Sequence, residues 1–194
     1  MQVNGLLASY DIDRPVTMVV LSSHTKYIPV NHDNAVQGSI TTLSGQIFEA
    51  ITTGTIVGKS VSPDDENDRV NYLDETVIDA AYEAVMSGGF LRSLMIPRFM
   101  DVLMKTKWHE RKLFVEAAIA TEDLRALDRF SALKFNRNAQ YVLCGPERRC
   151  SLFKYLLNQA IKPEKEIIAI SDSEEIDMLS IKGSIYLAKK ANLL

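Results

Sequence analysis

The residues best suited to chemistry lie at positions 22–27, SSHTKY, directly after a run of apolar β-formers. A tight hairpin at this point would bring backbone N–H groups, hydroxyls and the amine of Lys26 close together. Phosphoryl transfer depends on positioning and on stabilising negative charge, so this set of donors suits a phosphate. The residues alone leave an alternative open, namely a solvent-exposed hairpin lysine beside a structural His24.

A second candidate is the turn at Gly145, Pro146 and Glu147, between a predicted strand and a predicted helix. The free N–H groups and the macrodipole at a helix N-terminus attract anions. The alternative is an ordinary turn that joins a strand to a helix.

Other patterns carry less weight. The segment 54–60, GTIVGKS, is one residue short of a P-loop and follows a predicted helix rather than a strand, so we reject a P-loop. We interpret the acidic run 64–66 as a solvated loop and not as a metal site. Trp108 and His109 are expected to be packing or surface residues.

The composition is that of an ordinary soluble protein. The 194 residues are 46% hydrophobic and 24% charged, with a net charge of -3, and no basic stripe for nucleic acid is visible. No segment approaches the roughly 20 apolar residues of a membrane helix, and the N-terminus has no signal pattern. Cys144 and Cys150 lack zinc-site spacing and are expected to be reduced thiols. We therefore expect a cytoplasmic protein without nucleic-acid or membrane partners.

The start of the chain is predicted to form three strands and a helix. Residues 16–21 are a continuous β-rich run, as expected for a strand that is buried on both faces. The extended pattern resumes at 24–30 and again at 35–42. Ser44 is predicted to cap a helix that runs from 45 to about 53.

Hydrophobic periodicity then changes twice. In residues 74–135 the apolar residues recur almost throughout with the spacing expected on one face of a helix. Strands are predicted at 139–145 and 166–171, with a helix at 146–160 between them and an amphipathic helix at 178–190 after them. Strands that alternate with helices imply parallel pairing.

The predicted fold is therefore α/β, with a mixed five-stranded sheet in the ribonuclease-H-like arrangement. Three antiparallel strands are continued by two parallel ones. The chain 1–194 is predicted to be a single lobe with a core of 16–62 and 136–192, a surface loop at 62–73 and a helical insertion at 74–135.

Short motifs in a consistent order then resemble one family. Residues 22–27 resemble the Pro-Gly-Thr-His-x-Lys-Trp hairpin of 2-keto-3-deoxygalactonate kinases, and residues 42–48, TLSGQIF, resemble the family's Met-Thr-Gly-Glu-Leu helix start. Residues 117–122, AAIATE, are similar to the family's Leu-Leu-Ile-Gly-x-Glu helix, and further matches are TIVG at 55–58, VLCG at 142–145 and SIKG at 180–183. Each motif is weak alone, but together they span nearly the whole chain in order.

The resemblance implies the C-terminal, nucleotide-facing lobe of a kinase of the actin-like ATPase superfamily. Such a kinase uses ATP and Mg²⁺ to phosphorylate a 2-keto-3-deoxy sugar acid. The match begins in the middle of the family pattern, so the N-terminal lobe is expected to be missing and to be replaced by a partner or by self-association. The implied phosphate- or nucleotide-binding residues are Ser22, Ser23, His24, Thr25, Lys26, Gly145, Pro146 and Glu147. The implied substrate-side residues are Ser44, Gly45, Gln46 and Glu122.

The chain departs from the family at several of these positions. Ser23 stands where the family has glycine, and Gln46 stands where it has glutamate. Leu103 falls where the family has an arginine, and no residue matches a catalytic base. These departures keep a second hypothesis open, in which the chain is a non-catalytic nucleotide-binding or oligomerisation module derived from such a kinase.

Overall fold

The computed structural model describes residues 1–63 and 71–194, which form two compact units. The first unit comprises Met1–Thr42 and Arg129–Leu194, and the second comprises Leu43–Asp128. The acidic run 64–66 lies outside the described residues. The assignment of the chain to a single lobe with a helical insertion stays a prediction.

A mixed five-stranded sheet forms the centre of the first unit, in the order β3-β2-β1-β4-β5. Strand β1 pairs antiparallel with β2 and parallel with β4, while β2–β3 is antiparallel and β4–β5 is parallel. This arrangement confirms the prediction of an α/β fold with a mixed sheet. The strands are β1 (Val16–Leu21), β2 (Thr25–Val30), β3 (Ile40–Thr42), β4 (Gln140–Cys144) and β5 (Ile168–Ile170).

Strand β1 is buried at all six positions, because strands flank it on both sides and helices cover both faces of the sheet. On one face, Met18 and Val20 join a core to which helices α1 (Gln2–Ser9) and α9 (Ser173–Lys190) contribute. The alternation of side chains along a strand places Val19 on the opposite face.

Helix α8 (Glu147–Ala160) supplies aromatic packing to that opposite face. Tyr27 is paired with Val19 across the ladder, and its ring lies 6.2 Å from the rings of both Phe153 and Phe130. Tyr27 is fully buried, so β2 is anchored in the sheet by this side chain. The hairpin that precedes it is thereby held in a fixed position.

Helix α1 was not predicted from the sequence. It packs against α9 through two glycines, where the backbones come too close for a side chain. A Cβ atom on Gly5 would lie 2.8 Å from the Cα atom of Leu179, and one on Gly183 would lie 2.8 Å from the carbonyl carbon of Met1. The backbones of the two helices are therefore in direct contact where they cross, and the helix pair covers one face of the sheet.

Three further predictions need correction. The predicted strand 35–42 is reduced to β3, because the chain before it makes only an isolated bridge at Val36 and then passes the ring of Phe135 at Gly38. The last helix begins at Ser173 and not at Met178, since Asp172 caps it by accepting a hydrogen bond from the N–H of Glu175 at 2.9 Å.

Ser44 is not the cap of the following helix. The N-cap is Leu43, and Ser44 is the first helical residue, because its hydroxyl donates to the Asp123 carboxylate instead of accepting from the backbone.

The second unit is helical where it is described. Helix α7 (Trp108–Leu124) is buried over most of its length, so the other helices pack around it. Ile51, Val57, Val61, Val115 and Ile119 form a core cluster within this unit. The helices are α2 (Ser44–Gly54), α3 (Gly58–Val61), α4 (Glu75–Gly88), α5 (Phe90–Ser93), α6 (Ile96–Val102) and α7 (Trp108–Leu124).

Segment 54–60 follows helix α2 and enters the short helix α3, so it does not have the strand-to-helix context of a P-loop. Trp108 and His109 are buried at the start of α7 and pack against each other, with ring centroids 5.6 Å apart. Within 1–63 and 71–194, no helix combines the length and the apolar character needed to cross a membrane.

Candidate functional site

The candidate phosphate residues of the first unit lie at one edge of the sheet. Strands β1 and β4 run parallel, so the turn after Leu21 and the turn at Gly145 meet at the carboxyl ends of the two strands. A Cβ atom on Gly145 would lie 2.9 Å from the Cβ atom of Leu21 and 3.2 Å from its carbonyl carbon. Only glycine can occupy position 145 so close to Leu21. This close contact brings the hairpin and the start of α8 together.

Hydrogen bonds within the turn fix the hairpin between β1 and β2. The N–H and the hydroxyl of Ser22 both donate to the carbonyl oxygen of His24, each at 3.2 Å. The hydroxyl of Ser23 lies 3.0 Å from Nδ1 of His24. Both donors of Ser22 are thus engaged inside the turn, and the exposed Ser23 remains at its tip.

Arg149 connects helix α8 to the same turn. Its guanidinium Nη1 donates to the carbonyl oxygen of Ser22. A cation is thereby brought to the hairpin by a residue in the first turns of α8. Sequence reasoning missed this residue, because the only available signal was the Arg148-Arg149 pair in a helix far along the chain.

The two residues after the turn point to opposite faces of the sheet. Thr25 is fully buried, whereas Lys26 is exposed at the sheet edge. Among the described residues, Lys26 forms no ion pair or hydrogen bond through its side chain. Its amine is therefore available to an anion from solution.

The start of helix α8 carries its own negative charge. Pro146 is the N-cap and offers no side-chain cap, and Glu147 occupies the first turn as an exposed residue. A carboxylate at this position interacts favourably with the helix dipole. It also opposes the approach of a second anion, such as a phosphate.

Two buried thiols lie behind this edge. The Sγ atom of Cys150 lies 3.3 Å from the carbonyl oxygen of Gly145, and Cys144 is the last residue of β4. Burial raises the pKa of Cys144 to about 11 and that of Cys150 to about 12. Both are free thiols, and burial keeps them protonated at neutral pH.

The candidate substrate-side residues belong to the second unit. Ser44 and Asp123 are both buried and are joined by a hydrogen bond between the Ser44 hydroxyl and Oδ2 of Asp123. This bond ties the start of α2 to the end of α7. Gly45 is half-buried and Gln46 is exposed at the same helix start.

Glu122 is half-buried and pairs with Arg125, with 3.1 Å between Oε2 and Nη1. The carboxylate that contacts Ser44 is that of the neighbouring Asp123, which the sequence comparison did not select. Because successive residues on a helix point in different directions, the two carboxylates have different partners.

A second polar cluster in this unit surrounds Asp101. Its carboxylate accepts from the hydroxyl of Ser60 at 2.9 Å and from Arg98 at 3.0 Å, and Arg111 lies 3.7 Å away. The Ser60 hydrogen bond, followed by the charges of Arg111 and Arg98, lowers the pKa of Asp101. Arg111 also donates to the carbonyl oxygens of Ser60 and Thr106, so the cluster joins α3, α6 and α7. These partners are internal, which identifies the cluster as structural.

Across the part of the chain that the structure describes, no group of three His, Cys, Asp or Glu side chains could hold a metal ion. Mg²⁺ often binds through only one or two carboxylates together with substrate phosphates, and such a site would not appear as a group of three protein ligands.

Comparison with known proteins identifies the family. The model of the 2-keto-3-deoxy-galactonokinase family matches residues 1–171. A search of curated protein sequences gives no match. Among solved structures, the fold resembles that of a Sinorhizobium meliloti protein described as a 2-dehydro-3-deoxygalactonokinase, with a TM-score of 0.71 and 16% sequence identity. The match covers 97% of this chain and 58% of that one, so the chain spans a little over half the length of the solved relative. The chain belongs to the 2-keto-3-deoxy-galactonokinase family.

Proposed function

We propose that this chain binds ATP and forms the nucleotide-facing part of a kinase that transfers the γ-phosphate to 2-keto-3-deoxygalactonate. The observation that carries the proposal is the meeting of the β1–β2 turn and the start of α8 at Gly145, in a chain of this family. The order β3-β2-β1-β4-β5 also supports a ribonuclease-H-like lobe of the actin-like ATPase superfamily. A cytoplasmic location is proposed with this function.

The residues at the sheet edge take different roles in this proposal. Lys26 supplies a positive charge to the ATP phosphates, and the tip of the turn at Ser23 and His24 donates hydrogen bonds to their oxygens. Arg149 holds the turn by its bond to Ser22 and adds positive charge beside it. Gly145, Pro146 and Glu147 contact the adenosine side, where a carboxylate does not oppose a phosphate.

ATP would bring Mg²⁺ with its phosphates, and the metal would neutralise charge on the transferred group. The donors at the hairpin fit the phosphates, since Lys26 is exposed and has no partner among the described residues. On the substrate side, we propose that Gly45 and Gln46 face the sugar acid. In this role Ser44, held by Asp123, positions the start of α2, and Glu122 contributes charge nearby.

The test is thermal unfolding of the full chain with and without ATP–Mg²⁺. A ligand that binds the native state raises the free energy of unfolding, by about 2.7 kcal/mol when the free ligand concentration is one hundred times its dissociation constant. We expect ATP–Mg²⁺ to raise the unfolding temperature and Lys26→Ala to abolish the rise. The matched control is Lys165→Ala, because Lys165 precedes β5 at the opposite edge of the sheet and pairs with Asp13 at 3.3 Å.

An equal shift in the Lys26→Ala variant would exclude the phosphate role of Lys26. The absence of any shift in the unmodified chain would exclude ATP binding. Coupled ADP release with 2-keto-3-deoxygalactonate then separates the two hypotheses for a chain that does bind ATP. Turnover supports the kinase, and binding without turnover supports a non-catalytic nucleotide-binding module.

The non-catalytic alternative has its own support in the turn. Both donors of Ser22 are engaged by His24, and Ser23 replaces the family glycine that would let a phosphate approach the backbone closely. A weaker phosphate site is expected from these two features.

A further inference from the structure

The outward face of helix α9 carries an apolar stripe. Met178, Ile181 and Ile185 are spaced three and four residues apart, so they share one side of the helix. Their exposed fractions are 42%, 51% and 43%, which is high for large apolar side chains. Leu179 and Gly183, on the opposite side, are buried against α1. The stripe therefore faces away from the chain's own core.

Charges at the two ends of the stripe have opposite signs. Glu174 lies one helical turn before Met178, and Lys189 lies one turn after Ile185, on the same side of the helix. Both are exposed, and neither forms an ion pair or hydrogen bond with a described residue through its side chain. The stripe thus runs from an acidic end to a basic end.

We propose that α9 pairs with α9 of a second copy of this chain, antiparallel, in a two-fold symmetric dimer. With the symmetry axis passing between positions 181 and 182, beside Ile181, Met178 of one copy meets Ile185 of the other, and Glu174 of one meets Lys189 of the other. A two-fold interface uses the same patch on both copies, and the charges at the two ends of this patch are complementary only when the helices run antiparallel. A parallel pair would place Glu174 against Glu174 and Lys189 against Lys189.

The first test is the mass of the full chain across a concentration series, by sedimentation equilibrium. We expect a monomer–dimer equilibrium in which Ile181→Glu weakens dimerisation by about thirtyfold or more, because it buries a charge at the centre of the interface. The control is Ile56→Lys, which changes an isoleucine of similar exposure, 55%, in the second unit. Far-UV circular dichroism verifies that each variant is folded.

Charge reversal tests the orientation. Glu174→Lys alone and Lys189→Glu alone are each expected to weaken the dimer by about tenfold, since each creates two repulsive pairs. The double variant restores both pairs and should recover the original dissociation constant. In addition, a mixture of Met178→Cys and Ile185→Cys chains should form the mixed disulfide under mild oxidation.

Several outcomes would overturn the proposal. A chain that stays monomeric at all concentrations has no such dimer, and a dimer that tolerates Ile181→Glu uses another surface. If the double charge-reversal variant forms a weaker dimer than both single variants, the antiparallel pairing is excluded. Disulfides that form only between identical Met178→Cys chains would exclude it as well. None of these outcomes depends on whether the chain binds ATP.

Discussion

Replacing Gly183 by alanine should destabilise the protein, although alanine is the better helix former. In an exposed helix interior, Gly→Ala stabilises by about 1 kcal/mol. At Gly183, however, the new Cβ atom would lie 2.8 Å from the carbonyl carbon of Met1 and 2.9 Å from the nitrogen of Gly5. The first distance is 0.6 Å below the 3.4 Å at which ordinary van der Waals contact begins.

The clashing atoms are backbone atoms of Met1, the N-cap of α1, and of Gly5 within α1, so no side chain can rotate aside. Helix α1 has to move away from α9, and Leu6, which is fully buried under it, has to move with it. Overpacking of this kind costs about 1–3 kcal/mol, and the backbone contact places Gly183→Ala toward the upper end of that range. After the propensity gain is subtracted, we expect a net loss of about 1–2 kcal/mol.

The assay is urea unfolding followed by far-UV circular dichroism, with Gly54→Ala as the control. Gly54 ends helix α2, and a Cβ atom there would meet nothing within 4 Å. That substitution should be neutral or stabilise by up to about 1 kcal/mol. We therefore expect Gly183→Ala to lower the unfolding midpoint and Gly54→Ala to leave it unchanged or raise it. A Gly183→Ala protein as stable as Gly54→Ala would refute the backbone crossing of α1 and α9.

Two further predictions concern titratable groups. Asp74 caps α4 by accepting from the N–H groups of Thr76 and Val77 at 2.9 and 3.3 Å, so Asp74→Ala should cost about 1 kcal/mol in urea unfolding at neutral pH. The Val77 hydrogen bond in particular lowers the Asp74 pKa from 3.8, so this stabilisation is complete above that value and is lost as the pH falls through the lower folded-state pKa. A variant whose deficit is as large in strong acid as at neutral pH would contradict this account. Cys144 and Cys150, with pKa values raised by burial to about 11 and 12, should resist alkylation at pH 8 in the native protein and react once it is unfolded, as counted by mass spectrometry. Rapid labelling of the native chain would contradict their burial.

The sheet could be predicted from sequence because its central strands are continuous apolar runs bounded by turn residues. Strands β1 and β4 are buried throughout, and such runs leave little ambiguity. Helix α1 could not be predicted in the same way. Its eight residues include a glycine and have no strong apolar period, and it is held by α9, which lies at the other end of the chain.

The candidate site was predictable only where its contacts are local. The hairpin hydrogen bonds join neighbours, so the residue types at 22–24 already suggested a tight turn. The Ser44 side chain was misassigned as a cap because its actual partner, Asp123, is 79 positions away in sequence. The hydrogen bond from Arg149 to Ser22 joins residues 127 positions apart, and no local sequence pattern indicates it. Local patterns identify turns and helix starts, whereas partners across the fold depend on how distant segments pack.

The division of the chain also bears on how it folds while it is being synthesised. The second unit, Leu43–Asp128, is one continuous segment, so its helices can pack as soon as they leave the ribosome. Strand β1 is made earlier but must wait for its parallel neighbour β4 and then for α9, which completes the cover over Met18 and Val20. During that interval the apolar hairpin β1–β2 is uncovered. We expect nascent chains arrested before α9 to depend on chaperones, although their helical middle segment is already folded.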